Sequence, residues 1–102
     1  MKIKPNVITL CGSTKFKQQF SEVMKDLTLK GNIVLTLGFF EQSENIKLTN
    51  EQFKLFEEVH YYKIDMSDEI YVVNVNGYIG ESTKKEIEYA IEHNKKVTYL
   101  EN

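Results

Sequence analysis

The stretch SDEIYVVNVNGYIGESTKKEIEYAIEHNKKVTYL, residues 67–100, decides how the chain folds. Residues 69–75 (EIYVVNV) form its apolar centre, a short run bounded by polar and turn residues, as expected of a buried strand. Asn76-Gly77 signals a turn. Residues 82–94 then place Ile87, Ala90 and Ile91 inward at helical spacing. Residues 96–100 (KVTYL) return to strand character. A strand, a helix and a second strand joined by short connections make a unit whose strands run parallel.

The same alternation continues upstream. Residues 3–11 (IKPNVITLC) are β-rich and run into the turn Gly12-Ser13-Thr14. Phe16, Phe20, Val23 and Leu27 predict a helix over 15–30, with Ser13 or Thr14 as its cap and Gly31-Asn32 as its stop. Residues 33–37 (IVLTL) read as a second buried strand. Residues 38–50 (GFFEQSENIKLTN) are polar after Phe39 and Phe40, and a loop this long is often functional or a lid. Thr49 or Asn50 caps a helix over roughly 51–66. Phe53, Phe56, His60 and Ile64 lie near one face of it, with Val59 beside them. The aromatic stripe of Phe16, Phe20, Phe53 and Phe56 is assigned to the core.

The order is βαβαβαβ. It predicts one α/β domain over residues 1–102, a doubly wound parallel sheet of about four strands with helices on both faces. Ligands bind such sheets beyond the carboxyl ends of the strands, where the strand order reverses. The turns at 11–15 and 76–83 should therefore line the pocket, with the 38–50 loop placed to close over it.

Composition narrows the partners. The 102 residues are 41% hydrophobic and 27% charged, which suits a single globular domain. A net charge of −2, with 13 Lys and no Arg, lacks the footprint of a nucleic-acid binder. It also lacks the guanidinium fork for phosphate, which would have to be held by amides, hydroxyls or Lys. One cysteine, Cys11, excludes an internal disulfide and a Cys-rich zinc site, and it fits a cytoplasmic location. No apolar run approaches the ~18–20 residues of a membrane span. Pro5 and Asn6 interrupt any signal-peptide core after Lys2 and Lys4.

Three segments carry candidate chemistry. In Cys11-Gly12-Ser13-Thr14, the glycine permits close backbone approach and the helix start favours an anion. It matches neither a P-loop nor a dinucleotide fingerprint. Cys11, at a strand end with no evident base nearby, reads first as a structural thiol. In the second segment, residues 76–86, Ser82 or Thr83 can cap a helix whose early turns hold Glu86. Thr83 with Glu86 forms a capping box, the plain structural alternative to a carboxylate facing the pocket. A carboxylate kept ionised by the helix dipole beside a sugar C1′ is what glycosyl transfer requires. Glu88 points elsewhere, into solvent. In the third segment, residues 57–65, His60 and Lys63 are neighbours on a helix surface and both can face the site. No metal-spaced partner accompanies His60, so no zinc site is expected. Asp68 is read as pinning the adjoining strand or capping a turn.

The turn LCGST, the approach SDEIYVVNVNGYIGEST and the helix KKEIEYAIEHNKKVTYL resemble the nucleoside 2-deoxyribosyltransferase superfamily, which includes the 2′-deoxynucleoside 5′-phosphate N-hydrolases. The resemblance covers most of the chain in order and is weakest over residues 38–56. It rests most on Glu86-Ile87-Glu88-Tyr89-Ala90, a Glu followed by an apolar residue and by Ala four positions on. It implies a flavodoxin-like sheet and Glu86 as a nucleophile that attacks C1′ of a 2-deoxyribosyl group. It further implies that Gly12, Ser13, Thr14 and Ser82, with Thr83, hold a phosphate. The family's acidic position on the second helix falls at His60, which could bind a sugar hydroxyl, protonate a leaving base or contact phosphate. A hydroxyl- or carboxylate-bearing position of the turn falls at Gly80.

The expected function is N-glycosidic cleavage of a 2′-deoxynucleoside or its 5′-monophosphate, with Glu86 and His60 catalytic. Cys11, Gly12, Ser13, Thr14, Lys63, Gly80, Ser82 and Thr83 are the expected substrate contacts. The short segment after the fourth strand favours hydrolysis over base exchange. The alternative is a non-catalytic protein that senses or sequesters a nucleotide or nucleotide-sugar. No metal or organic cofactor is implied. A homo-oligomer, dimer or larger, is expected from the resemblance and from Phe39, Phe40, Tyr61 and Tyr62, which exceed the needs of one small core.

Overall fold

The structure is a computed structural model that describes residues 3–102. The elements follow in the order β1 (Val7–Cys11), α1 (Lys17–Leu29), β2 (Ile33–Leu35), α2 (Asn50–Asp65), β3 (Glu69–Val72), α3 (Glu81–Glu92) and β4 (Lys96–Tyr99), with one 3₁₀ turn at Val75–Gly77. The four strands form a single parallel sheet in the order β2-β1-β3-β4. This is the doubly wound α/β architecture that the alternation predicts, with a flavodoxin-like strand order. Among the described residues, no helix is long and apolar enough to cross a membrane.

Strand alternation sorts the side chains into two layers. Ile8 and Leu10 of β1, with Val73 just past β3, pack on Phe20 and Val23 of α1. Leu37 closes this layer, and Phe16, Leu27 and Phe40 flank it. Cys11, Ile70 and Val72 face the other way, onto Ile64 of α2 and Ala90 of α3. The crossover helices therefore cover both faces, and the central strands are buried on both sides.

Local chemistry sets the ends of the elements. β1 begins at Val7 rather than near residue 3, since Pro5 has no N–H to give a ladder. Asp68 pins that start, accepting a hydrogen bond from the Val7 amide at 2.9 Å. α2 starts on a full capping box, in which Thr49 accepts from the Gln52 amide and the Gln52 side chain accepts from the Thr49 amide. α1 is different from expectation. Its N-cap is Phe16, with no side-chain cap. Ser13 Oγ accepts from the Lys15 amide and the Gln42 side chain, and Thr14 Oγ1 accepts from the Gln42 amide. The hydroxyls serve the turn and the long loop, so they are not available to the helix.

Three packing expectations need correction. Ile91 is 60% exposed, because it lies about 100° around the helix from Ala90 and past the sheet-facing stripe. Phe53 is 42% exposed and belongs to the rim of the cleft described below, not to the core. The aromatics read as surplus are mostly used within the chain. Phe39 packs on Phe56 at 4.9 Å between centroids, Phe40 on Phe20 at 5.1 Å and Tyr61 on Tyr89 at 4.8 Å. Tyr62 alone of the four is largely exposed.

Candidate functional site

β1 and β3 are neighbours, but their crossovers leave in opposite directions, so the turns after them part and open a crevice. The cleft there has a volume of about 250 Å³. Gly12, Ser13 and Thr14 line it from the first turn, and Gly80, Ser82 and Thr83 from the start of α3. His60 and Glu86 of the group that sequence reasoning assigned to the site line it too, whereas Cys11 and Lys63 do not.

Gly12 makes the close fit possible. Its φ is +153°, and a Cβ there would lie 2.9 Å from the Val73 carbonyl oxygen and 3.1 Å from the Phe20 ring. Both turns can approach only because this position has no side chain. On the other side, Asn76 (φ 55°) and Gly77 (φ 79°) are both left-handed and turn the chain back toward α3. Asn74 braces this turn: its side-chain amide donates to the Glu101 carbonyl, and its side-chain oxygen accepts from the Glu101 amide, both at 2.9 Å.

The capping-box alternative for Glu86 does not hold. The N-cap of α3 is Gly80 with no side-chain cap, so Thr83 and Glu86 both lie inside the helix. The Glu86 side chain is 13% exposed and turns to α2, where its Oε1 lies 3.5 Å from His60 Nε2. His60 is buried, and its Nε2 also lies 3.3 Å from Cys11 Sγ. Its Nδ1 has no hydrogen-bond partner among the described residues. The Nε2 side of the ring therefore carries its polar interactions.

Cys11 and Lys63 are placed differently from expectation. Cys11 is fully buried and sits behind His60, not among the cleft-lining residues. A base does lie beside it, contrary to the local reading of the strand end. Burial pushes its thiol well above its ordinary range, and the Glu86 carboxylate adds to that effect. Lys63 leaves the site: its Nζ donates to the Thr36 carbonyl at 2.6 Å, fastening α2 to the root of the long loop. Partial burial there lowers its pKa.

The 38–50 loop reaches the site as expected. Gln42 Nε2 donates to Ser13 Oγ at 3.3 Å, and the Ser43 amide and hydroxyl donate to the Thr14 carbonyl at 3.3 and 2.9 Å. The Phe40 amide donates to Glu44, which also pairs with Lys17 at 2.9 Å, and these two contacts hold the Glu44 carboxyl below its usual range. Two features were missed in the sequence. Tyr78 borders the cleft with Lys15 Nζ 3.7 Å from its ring centroid, a cation–π contact across the two turns. Its place between Gly77 and Gly80, within the turn already assigned to the pocket, was the available signal. The second is the sign of the lining: Glu41, Glu57 and Glu81 join Glu86 around the cleft, and among the described residues no Lys lines it.

No protein-family model, curated protein or solved structure matches the chain.

Proposed function

We propose that the cleft cleaves the N-glycosidic bond of a 2′-deoxynucleoside or its 5′-monophosphate, with Glu86 as the nucleophile. The observation that carries this reading is the position of Glu86. It is a largely buried carboxylate at the carboxyl end of the sheet, held off the helix cap and bordering a cleft flanked by hydroxyls. The resemblance of residues 67–100 to nucleoside 2-deoxyribosyltransferases supports the same role.

In this reaction a Glu86 oxygen attacks C1′. The C1′–N bond breaks and its electron pair goes to the base, which takes a proton from solvent as it leaves, and the water that later attacks C1′ returns a proton to solvent. Water then attacks C1′ of the glycosyl ester, the C1′–O bond to Glu86 breaks, and the carboxylate is restored. If a second base takes the place of water, the same intermediate gives exchange. His60, 3.5 Å from Glu86, fixes the carboxylate from the α2 side and lines the cleft beside it. Phe53, Phe56 and Tyr78 offer apolar and aromatic surface for a base. The acidic lining favours the uncharged nucleoside over its monophosphate.

The test is incubation of the chelator-treated protein with each 2′-deoxynucleoside and its monophosphate, with ribonucleoside controls and products separated by chromatography. Release of free base by the wild type, and loss of at least ~1,000-fold of the rate in Glu86→Gln, is the expected result. Turnover undiminished in that variant would remove the mechanism. A second reading is favoured by one observation: Glu86 shares its corner with a thiol and an imidazole, not with a second carboxylate. On that reading the protein binds a nucleotide or nucleotide-sugar without cleaving it. Its signature is a ligand-dependent rise in melting temperature, without base release, that survives Glu86→Gln.

A further inference from the structure

Cys11, His60 and Glu86 come from the end of β1, the middle of α2 and the second turn of α3. One ligand-type atom of each lies within 4.8 Å of the other two. We propose that these three side chains form a binding site for a divalent cation of the zinc type, with its remaining coordination position open to the cleft.

The two separations from His60 fit such an ion, and the third, between Cys11 Sγ and the Glu86 carboxylate, lies within 4.8 Å. Bond lengths to sulfur, nitrogen and oxygen in tetrahedral zinc put neighbouring ligand atoms about 3.4–3.6 Å apart. The observed separations are 3.3 Å from His60 Nε2 to Cys11 Sγ and 3.5 Å from His60 Nε2 to Glu86 Oε1. The donor set is one thiol, one imidazole and one carboxylate, which excludes the oxygen-seeking cations Mg²⁺ and Ca²⁺ and suits zinc or cobalt. Three protein ligands plus an open position is the arrangement of reactive zinc sites.

The polar atoms at this corner lack other occupation. The close polar neighbours of the Glu86 carboxylate are the other two members of the set, His60 at 3.5 Å and the Cys11 thiol within 4.8 Å. The His60 ring is 95% buried by side-chain area and has no partner at Nδ1. Glu41, Glu57 and Glu86 line the cleft with Glu81, which pairs with Lys84, and no Lys lines it among the described residues, so the cleft favours a cation. Cys11 Sγ is buried beside the His60 ring, and a cation there would bind it as the thiolate and release the thiol proton. Chain spacing conceals the set, since Cys11 and His60 are 49 positions apart.

A cation here would occupy the carboxylate that the proposed cleavage uses, so metal and glycosyl transfer are alternatives at one corner. The metal test does not depend on that reading. Untagged protein, stripped with chelator, is titrated with Co²⁺ alone, and Zn²⁺ is then measured by competition with a chromophoric chelator. The expected result is one equivalent bound, a thiolate-to-cobalt charge-transfer band and the intense visible bands of tetrahedral cobalt. Cys11→Ser should abolish the charge-transfer band, and Cys11→Ser, His60→Gln and Glu86→Gln should each weaken zinc by at least ~10-fold. Far-ultraviolet circular dichroism confirms that each variant is folded. Glu86→Gln, at the rim of the corner, remains informative if a buried variant fails to fold. No saturable binding would overturn the proposal, as would binding with undiminished affinity in Glu86→Gln or octahedral cobalt spectra without a sulfur band. Failure of base release in the cleavage assay would leave this outcome unchanged.

Discussion

The two faces of the sheet are built on different terms. Under α1 the layer is mostly apolar, with Ile8, Leu10, Phe20, Val23, Leu37 and Val73 in contact, and the buried Glu69 carboxylate opposite Ile8 is satisfied by Asn6 and Thr98, one donor to each oxygen. Under α2 and α3 the same sheet carries Thr9, His60, Ser67 and Thr83 buried beside Ile64, Ile70 and Ala90. Buried polar groups cost free energy unless they are partnered. Thr9 and Ser67 are partnered, through each other and the Lys63 carbonyl. His60 is partnered on one nitrogen only. The first face stabilises the fold, and the second gives up some stability to hold a half-satisfied imidazole beside a carboxylate and a thiol.

Substitutions on the two faces should separate these roles. Phe20→Ala, in the apolar layer, should cost about 3–5 kcal/mol in urea unfolding. A smaller loss would mean that Phe40 and the loop collapse into the cavity. Gly12→Ala, at the seam of the two faces, should cost about 2–3 kcal/mol through backbone strain and the contact with Val73. A neutral result would show that the turn relaxes and that the narrow approach is not required. Thr9→Val should cost about 1–2 kcal/mol by leaving the Lys63 carbonyl and Ser67 short of a partner. His60→Leu should have the smallest effect on stability, a change within about 1 kcal/mol and in the stabilising direction, because it removes a half-satisfied ring. The same variant should lose base release in the chromatographic assay. A large loss of stability from His60→Leu would erase the contrast between the faces.

The sequence shows the first face better than the second. Phe16, Phe20, Val23 and Leu27 repeat at helical spacing, and apolar packing follows periodicity closely. The strand order places the turns at 12–14 and 80–83 in one cleft, so most of the lining is also legible from the sequence. What sequence could not supply is the aim of individual side chains. His60 and Lys63 share a helix surface, yet the lysine stem reaches to Thr36 while the imidazole turns to Glu86. Ser13, Thr14 and Thr83 have the chemistry of helix caps, but Phe16 and Gly80 hold the cap positions. The convergence of Cys11, His60 and Glu86 depends on three elements meeting at one end of the sheet, which local spacing does not encode.

The docking of the long loop onto Thr14 has a kinetic consequence. The Gln42 and Ser43 amides donate to the hydroxyl and carbonyl of that residue, across 28 and 29 positions of chain. Solvent deuterium reaches these two amides only when the loop lifts from the turn. A ligand that takes Thr14 for itself must release the loop and speed their exchange. One that fills the cleft beneath an intact loop must slow it. Their exchange rates therefore report whether the strap is displaced on binding or clamps down over what has entered.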